Sequence, residues 1–271
     1  MKSLKNYKLL SLSLGLLLAP GILLADELDK KGFEIAARSD RSDLGFGDSE
    51  VKLTMILKNS AGQTTERKLS LKTLEKPNEQ VGDKSLIVFA SPADVDGTAL
   101  LSHARILKAD DQWLFLPALK RIKRISSVNK SGPFVGSEFA FEDFTALELN
   151  KFTYKYVRSE TCGDQASGLM CDVVERIPKY KHSGYTKQLT WVDQKVYQVR
   201  KVNFYDRRGD LLKTLELSEY KKYQGKYWRA KKLVMNNHLT KKETELLYSD
   251  YKFKTGLANS AFNKAMLKRI R

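Results

Sequence analysis

Three histidines, six prolines and two cysteines among 271 residues leave little material for several common chemistries. His103, His182 and His238 stand far apart, and no H-x-x-x-H or H-E-x-x-H spacing joins them, so the familiar zinc arrangements are not encoded. A G-x-S-x-G nucleophile elbow is absent too. The run Gly132-Pro133-Phe134-Val135-Gly136 has glycines but lacks the Lys and Ser/Thr that would hold phosphate in a nucleotide loop. Acids are plentiful, yet their spacing pairs none of them. No catalytic constellation emerges, and no enzyme activity, metal or cofactor is expected. Beyond residue 25, no apolar run approaches the ~18 residues that a membrane helix needs.

What is present begins at the amino end. Lys2, Lys5 and Lys8 precede an apolar run from Leu9 to Leu18, Pro20 and Gly21 are read as helix breakers, and Ala25 stands before Asp26-Glu27. That pattern reads as a cleaved secretory signal peptide over residues 1–25, with Asp26 in place of a lipidated Cys. The expectation is a soluble exported protein of the periplasm, with residues 26–271 forming a single domain.

Lysine and arginine outnumber acids 48 to 32, and removing the three signal lysines from the formal +16 leaves +13. In an exported protein the polyanions within reach are lipid headgroups, lipopolysaccharide or wall polymers, so an anionic membrane surface is a candidate partner. Simple solubility accounts for the charge equally well. The lysines are spread over most segments and make no compact nucleic-acid footprint. Cys162 and Cys171 flank a polar, Gly-containing tip between strand-like runs, and in an oxidising compartment such a pair most simply closes a hairpin as a disulfide.

Alternation of period two dominates the rest. Val51, Leu53, Met55 and Leu57 alternate with Lys52, Thr54, Ile56 and Lys58, and the pattern resumes through Leu69 and Leu71 after a turn at 59–62. The same grammar recurs to Phe253, giving around eleven short strands with near-neighbour turns. That is an antiparallel meander, and a sheet so long curls on itself. Helical spacing is confined to Leu28–Arg38, Gly136–Asn150 and Ser260–Ile270. The expected fold is mainly β with a few helices: a large curved antiparallel sheet forming an unclosed barrel.

Several stretches carry a family likeness: Gly45–Glu50 (GFGDSE), the SPADVDGTALL of 91–101, DQWLFLPALKRIKRISS of 111–127, KSGPFVGSEFAFEDF of 130–144, and Val202–Arg207. They resemble the exported outer-membrane lipoprotein-sorting proteins, a LolA/LolB-like group often found beside RND or MMPL-type exporters. The resemblance covers nearly the whole mature chain. It implies a half-barrel with helices or a lid in its mouth, and a monomer with an apolar cavity for a lipid or an acylated lipoprotein. Passage of that cargo between an inner-membrane exporter and the outer membrane would follow, with a non-carrier exporter accessory as the alternative.

Three sets of residues are candidates for such a site. Trp113, Phe115, Trp191, Phe204 and Trp228 lie on strands, where rings line a concave face or simply fill a core. Phe134, Phe139, Phe141 and Phe144 lie on or beside a Gly/Pro-containing loop that reads as a lid over the mouth, or as an ordinary packed connection. Lys120, Arg121, Lys123 and Arg124 put charge on both faces of a strand. A barrel rim tolerates that, either binding headgroups and acidic partners or serving as a solvated edge.

Overall fold

A computed structural model describes residues 20–75, 81–145, 148–163 and 168–270. Residues 1–19, which hold most of the expected signal peptide, lie outside that set. Helix α1 spans Pro20–Ser42. Pro20 and Gly21, read from the sequence as helix breakers, fall within this described helical span.

Thirteen strands follow. β1 (Asp48–Lys58), β2 (Thr64–Leu74), β3 (Val81–Ser91), β4 (Ala99–Arg105), β5 (Asp111–Leu116) and β6 (Arg121–Ile125) form one meander. β7 (Phe152–Thr161), β8 (Met170–Pro178), β9 (Lys187–Asp193), β10 (Val199–Tyr205), β11 (Leu211–Tyr223), β12 (Tyr227–Asn237) and β13 (Glu243–Phe253) form the other. The first and last strands pair, Leu53 opposite Tyr248 and Met55 opposite Leu246, which joins both meanders into one antiparallel sheet. Its order runs β6-β5-β4-β3-β2-β1-β13-β12-β11-β10-β9-β8-β7. β6 and β7 are thus consecutive in the chain yet lie at opposite edges, and the barrel stays open between them.

Alternation sorts the strands into faces. Leu53, Met55, Leu69, Ile87, Phe89, Leu100, Leu114 and Ile125 join Val202, Phe204, Met235 and Leu246 in the largest apolar cluster, which lies inside the curve. Their neighbours Leu86, Ala99, Leu101 and Phe115 point outward and pack against Phe262 and Leu267. These last two belong to 3-10 turns at Asn259–Phe262 and Lys264–Arg269, where an α-helix over Ser260–Ile270 was expected. β3 to β5 are consequently buried on both faces.

At the other edge, Ile35 and Ala36 of α1 pack on Phe152, Tyr154, Val174 and Val192. Gly32 makes this approach possible. A Cβ there would stand 2.6 Å from the Lys155 carbonyl carbon and the Tyr156 nitrogen, so helix and strand meet backbone to backbone. Cys162 and Cys171 are disulfide-bonded and, with Val173 and Trp191, make a small outer cluster that ties β7 to β8. Among the described residues no helix is long and apolar enough to cross a membrane.

Candidate functional site

The chain between β6 and β7 has to travel from one open edge to the other, and it does so through the inside of the curve. A helix was expected over 136–150; the described residues there form short 3-10 turns at Phe141–Phe144 and Leu149–Lys151 and no α-helix. The reason lies in the turn before it. Val135 and Gly136 adopt φ of 47° and 76°, consecutive left-handed residues of a tight reversal. The Phe134 amide donates to the Phe139 carbonyl at 2.7 Å and the Ser137 amide to the Phe134 carbonyl at 2.9 Å. Pro133 bridges Ala140, so the segment doubles back as a miniature hairpin whose Phe rings point into the sheet. Arg67 of β2 donates to the Val135 carbonyl.

Phe134 is 0% exposed and sits at the centre of a ring cluster, 4.5 Å from Phe144, 5.6 Å from Phe141 and 5.7 Å from Phe89 between centroids. Phe139 lies 5.4 Å from Phe144. The four phenylalanines act as a plug seated in the inner face.

The acids of this segment are used as internal fasteners. Glu142 accepts from the Gly184 amide at 2.8 Å, the Ser183 hydroxyl at 2.9 Å and the Tyr180 hydroxyl at 3.1 Å. Burial pushes its carboxyl above the ordinary range, although these donors pull the other way. Asp143 accepts from the Ala140 amide at 2.7 Å, the Tyr185 hydroxyl at 2.8 Å and the Lys213 ammonium at 2.7 Å. Lys213 also donates to the Glu138 carbonyl at 3.0 Å. Deeper along the segment, Lys151 pairs with Asp110 and Lys130 donates to the Asp110 carbonyl. Burial lowers the Lys130 pKa, with Asp110 opposing. Glu148 is pushed up to about 7 by burial, with Lys151 opposing.

The plug does not fill the curve. A cavity of about 200 Å³ lies between Phe139, Phe144, Phe152, Phe204, Leu246 and Tyr248, and Lys130, Arg176 and His182 also line it. A second of about 500 Å³ opens toward the end of α1, between Leu44, Val51, Leu71, Ile87 and Tyr251. Phe144, Thr145, Asp110 and Asp143 line both, so the two chambers meet at the plug. The larger falls within the range of ~300–1,000 Å³ typical of small-molecule sites, and the smaller lies below it. Outside the plug, a groove runs between β5–β6 and residues 128–136, with Lys123, Val128 and Pro133 on its walls.

The candidates from the sequence divide among these places. Phe139, Phe144 and Phe204 line the smaller chamber, Phe134 packs behind them, and Phe141 backs the outer groove. Trp113 and Phe115 belong to the outer face, under the carboxy-terminal turns. Trp191 is outside as well, with its Nε1 donating to Glu160 at 2.7 Å and Lys201 above its ring. All three were one pleat from the lumen, since Leu114 and Val192 alternate with them on the inner side. Trp228 is half-buried on β12 near Lys222 and lines neither chamber.

β6 is an edge strand, and Arg121, Lys123 and Arg124 are exposed. Lys120 is not part of it; with φ of 49° it ends the 3-10 turn Pro117–Leu119. Arg124 is already engaged, 2.6 Å from Asp111, which Arg105 also holds at 2.7 Å. Burial would raise the Asp111 carboxyl, and the two guanidiniums outweigh it and keep the pKa below the usual range.

The inward polar residues Arg176, Gln188, Glu142 and Asp143 escaped the sequence reading. A signal existed for Arg176, which shares a strand face with Val174. Among the described residues no group of three or more His, Cys, Asp or Glu is placed to hold a metal.

A family model described as "-like: Uncharacterized protein" matches residues 82–269. The crystal structure of an outer membrane lipoprotein-sorting protein domain from Vibrio parahaemolyticus is 51% identical, with a TM-score of 0.84 over 89% of this chain and 100% of that one. This chain belongs to the LolA-like, outer membrane lipoprotein-sorting family. The LolA-like fold extends to a DUF1329 family protein from Desulfovibrio piger, 27% identical with a TM-score of 0.82 over 89% of this chain and 99% of that one. A LolA superfamily protein from Nitrosomonas europaea, 23% identical, shares the fold with a TM-score of 0.67 over 86% and 97% of the two chains. No curated protein matches the sequence.

Proposed function

We propose that this LolA-like protein is exported by its signal peptide and works in the periplasm as a monomeric, non-covalent carrier of a lipid or lipidated molecule. An inner-membrane exporter of RND or MMPL type would supply the cargo and the outer membrane would receive it. The observation that carries this reading is the divided lumen: an open antiparallel barrel whose inner face is shared between a phenylalanine plug and two adjoining chambers. Each methylene of an acyl chain buried there contributes about 0.8 kcal/mol, so a long chain binds tightly and its release needs help. Rings that compete for the same apolar face provide it, because retreat of the cargo and return of Phe139 and Phe144 offset one another.

Native mass spectrometry of gently purified protein, followed by lipid extraction, tests the reading. A carrier retains acyl-chain ligand, or takes up a fluorescent fatty-acyl probe once stripped. Protein that is ligand-free and refuses the probe overturns it, and retention of an inner-membrane transporter by such protein would point to the accessory role instead.

A further inference from the structure

Arg176 projects from β8 onto the inner face, in register with Tyr154 of β7 and Gln188 of β9. Its Nε donates to the Gln188 side-chain oxygen, and its guanidinium carbon lies 5.3 Å from the centre of the Phe152 ring. No carboxylate among the described residues pairs with it. Asp143, the acid it feels, is taken up by Lys213, Tyr185 and the Ala140 amide. The terminal nitrogens of Arg176 therefore face the smaller chamber with no hydrogen-bond partner.

Two more groups nearby lack partners. The Tyr154 hydroxyl and the Thr190 hydroxyl are buried without a hydrogen bond on the same inner face of β7–β9, beside the chamber rather than on its wall, with Tyr154 under α1. Buried polar groups are normally satisfied. Arg176 itself is half-buried and lines the chamber, and desolvation lowers its pKa from the ordinary value. Opposite them, the chamber wall is apolar: Phe144, Phe204, Leu215, Leu233 and Leu246. One end of the space is polar, with Arg176 beside the already engaged Glu142 and Asp143, and the other is hydrocarbon-like.

We propose that Arg176 binds the anionic end of an amphiphile, a carboxylate or phosphate carried on an acyl chain that lies against Phe144, Phe204 and Leu246. This deepens the carrier reading and rests on it. Arg suits the task because its planar fork meets such oxyanions with two parallel hydrogen bonds.

The test uses the full mature protein, stripped of lipid, with a fluorescent polyene fatty acid and its methyl ester as probes. The wild-type protein binds the acid about tenfold more tightly than the ester, the least expected of a charge-assisted hydrogen bond. Arg176→Met brings acid affinity down to that of the ester and leaves the ester unchanged, which also shows that the lumen is intact. Arg176→Lys keeps part of the preference. A lysophospholipid with a terminal phosphate displaces the acid, whereas inorganic phosphate alone does not.

Equal binding of acid and ester by the wild type, or an acid preference that persists in Arg176→Met, overturns this inference and leaves the carrier reading standing. Displacement by inorganic phosphate at equal concentration overturns it too, since the chain would then play no part. Refusal of both probes removes the carrier reading and this inference together.

Discussion

At the β7 edge of the open sheet, α1 lies across the inner face and a disulfide ties the outermost strand to its neighbour, whereas at the β6 edge a five-residue strand presents Arg121, Lys123 and Arg124 to solvent. Unpaired strand edges invite association with other chains, and proteins blunt them by covering or by charging them. Here one sheet uses both devices. The covered edge invests buried area and covalent restraint, so its residues carry stability. The charged edge seats Ile125 in the core and pairs Arg124 with Asp111, while Arg121 and Lys123 stay exposed to solvent.

The largest effect should come from lifting the cover. Gly32→Val places a side chain against the β7 backbone and should cost about 2–3 kcal/mol by chemical denaturation, as overpacking commonly does. A change within ~0.5 kcal/mol would mean that α1 is a dispensable appendage. Replacing both Cys162 and Cys171 by Ser should cost about 2–3 kcal/mol on the chain-entropy estimate for so short a loop while the fold persists, as circular dichroism would record. Thiol labelling of the denatured, non-reduced wild type should find no free thiol.

Glu148 belongs to the segment that spans the gap between the edges. Its folded pKa of about 7 lies above the ordinary 4.5, so the folded form holds the proton more firmly and the cost of ionising it grows as pH rises from 4.5 to 7. Glu148→Gln should therefore stabilise the protein above pH 7 by on the order of 1 kcal/mol after solvent screening, and by nearly nothing at pH 4. Equal gains at both pH values would remove the titration explanation. Last, Arg121→Gln with Lys123→Gln should leave stability within about 0.5 kcal/mol and weaken binding to anionic vesicles by about 1 kcal/mol per charge at low salt. A large loss of stability would show that the β6 edge, like the β7 edge, is structural.

Much of this was legible in the chain. The antiparallel meander follows from period-two alternation and turn residues, the disulfide from a lone cysteine pair, and the edge position of 121–125 from charge on both its faces. The lumen was not. β3, β4 and β5 are apolar on both sides because the carboxy-terminal turns cover their outer face, so parity alone could not tell Leu114 from its neighbours Trp113 and Phe115.

The helix expected over 136–150 was misread for a related reason. Its spacing of Phe139, Phe141 and Phe144 fits an amphipathic helix about as well as a hairpin plug. The left-handed pair Val135-Gly136 and the internal partners of Glu142 and Asp143 decided between them.

Local pattern, then, determined which residues form strands, where they turn and which edge is charged, because those depend on neighbours in sequence. Which face became the lumen, and that Arg176 stands in it unpaired, was decided only by the closure of β1 against β13 and the path of the plug. Those contacts join residues far apart in the chain, and no local spacing encodes which side of a doubly buried strand they will enclose.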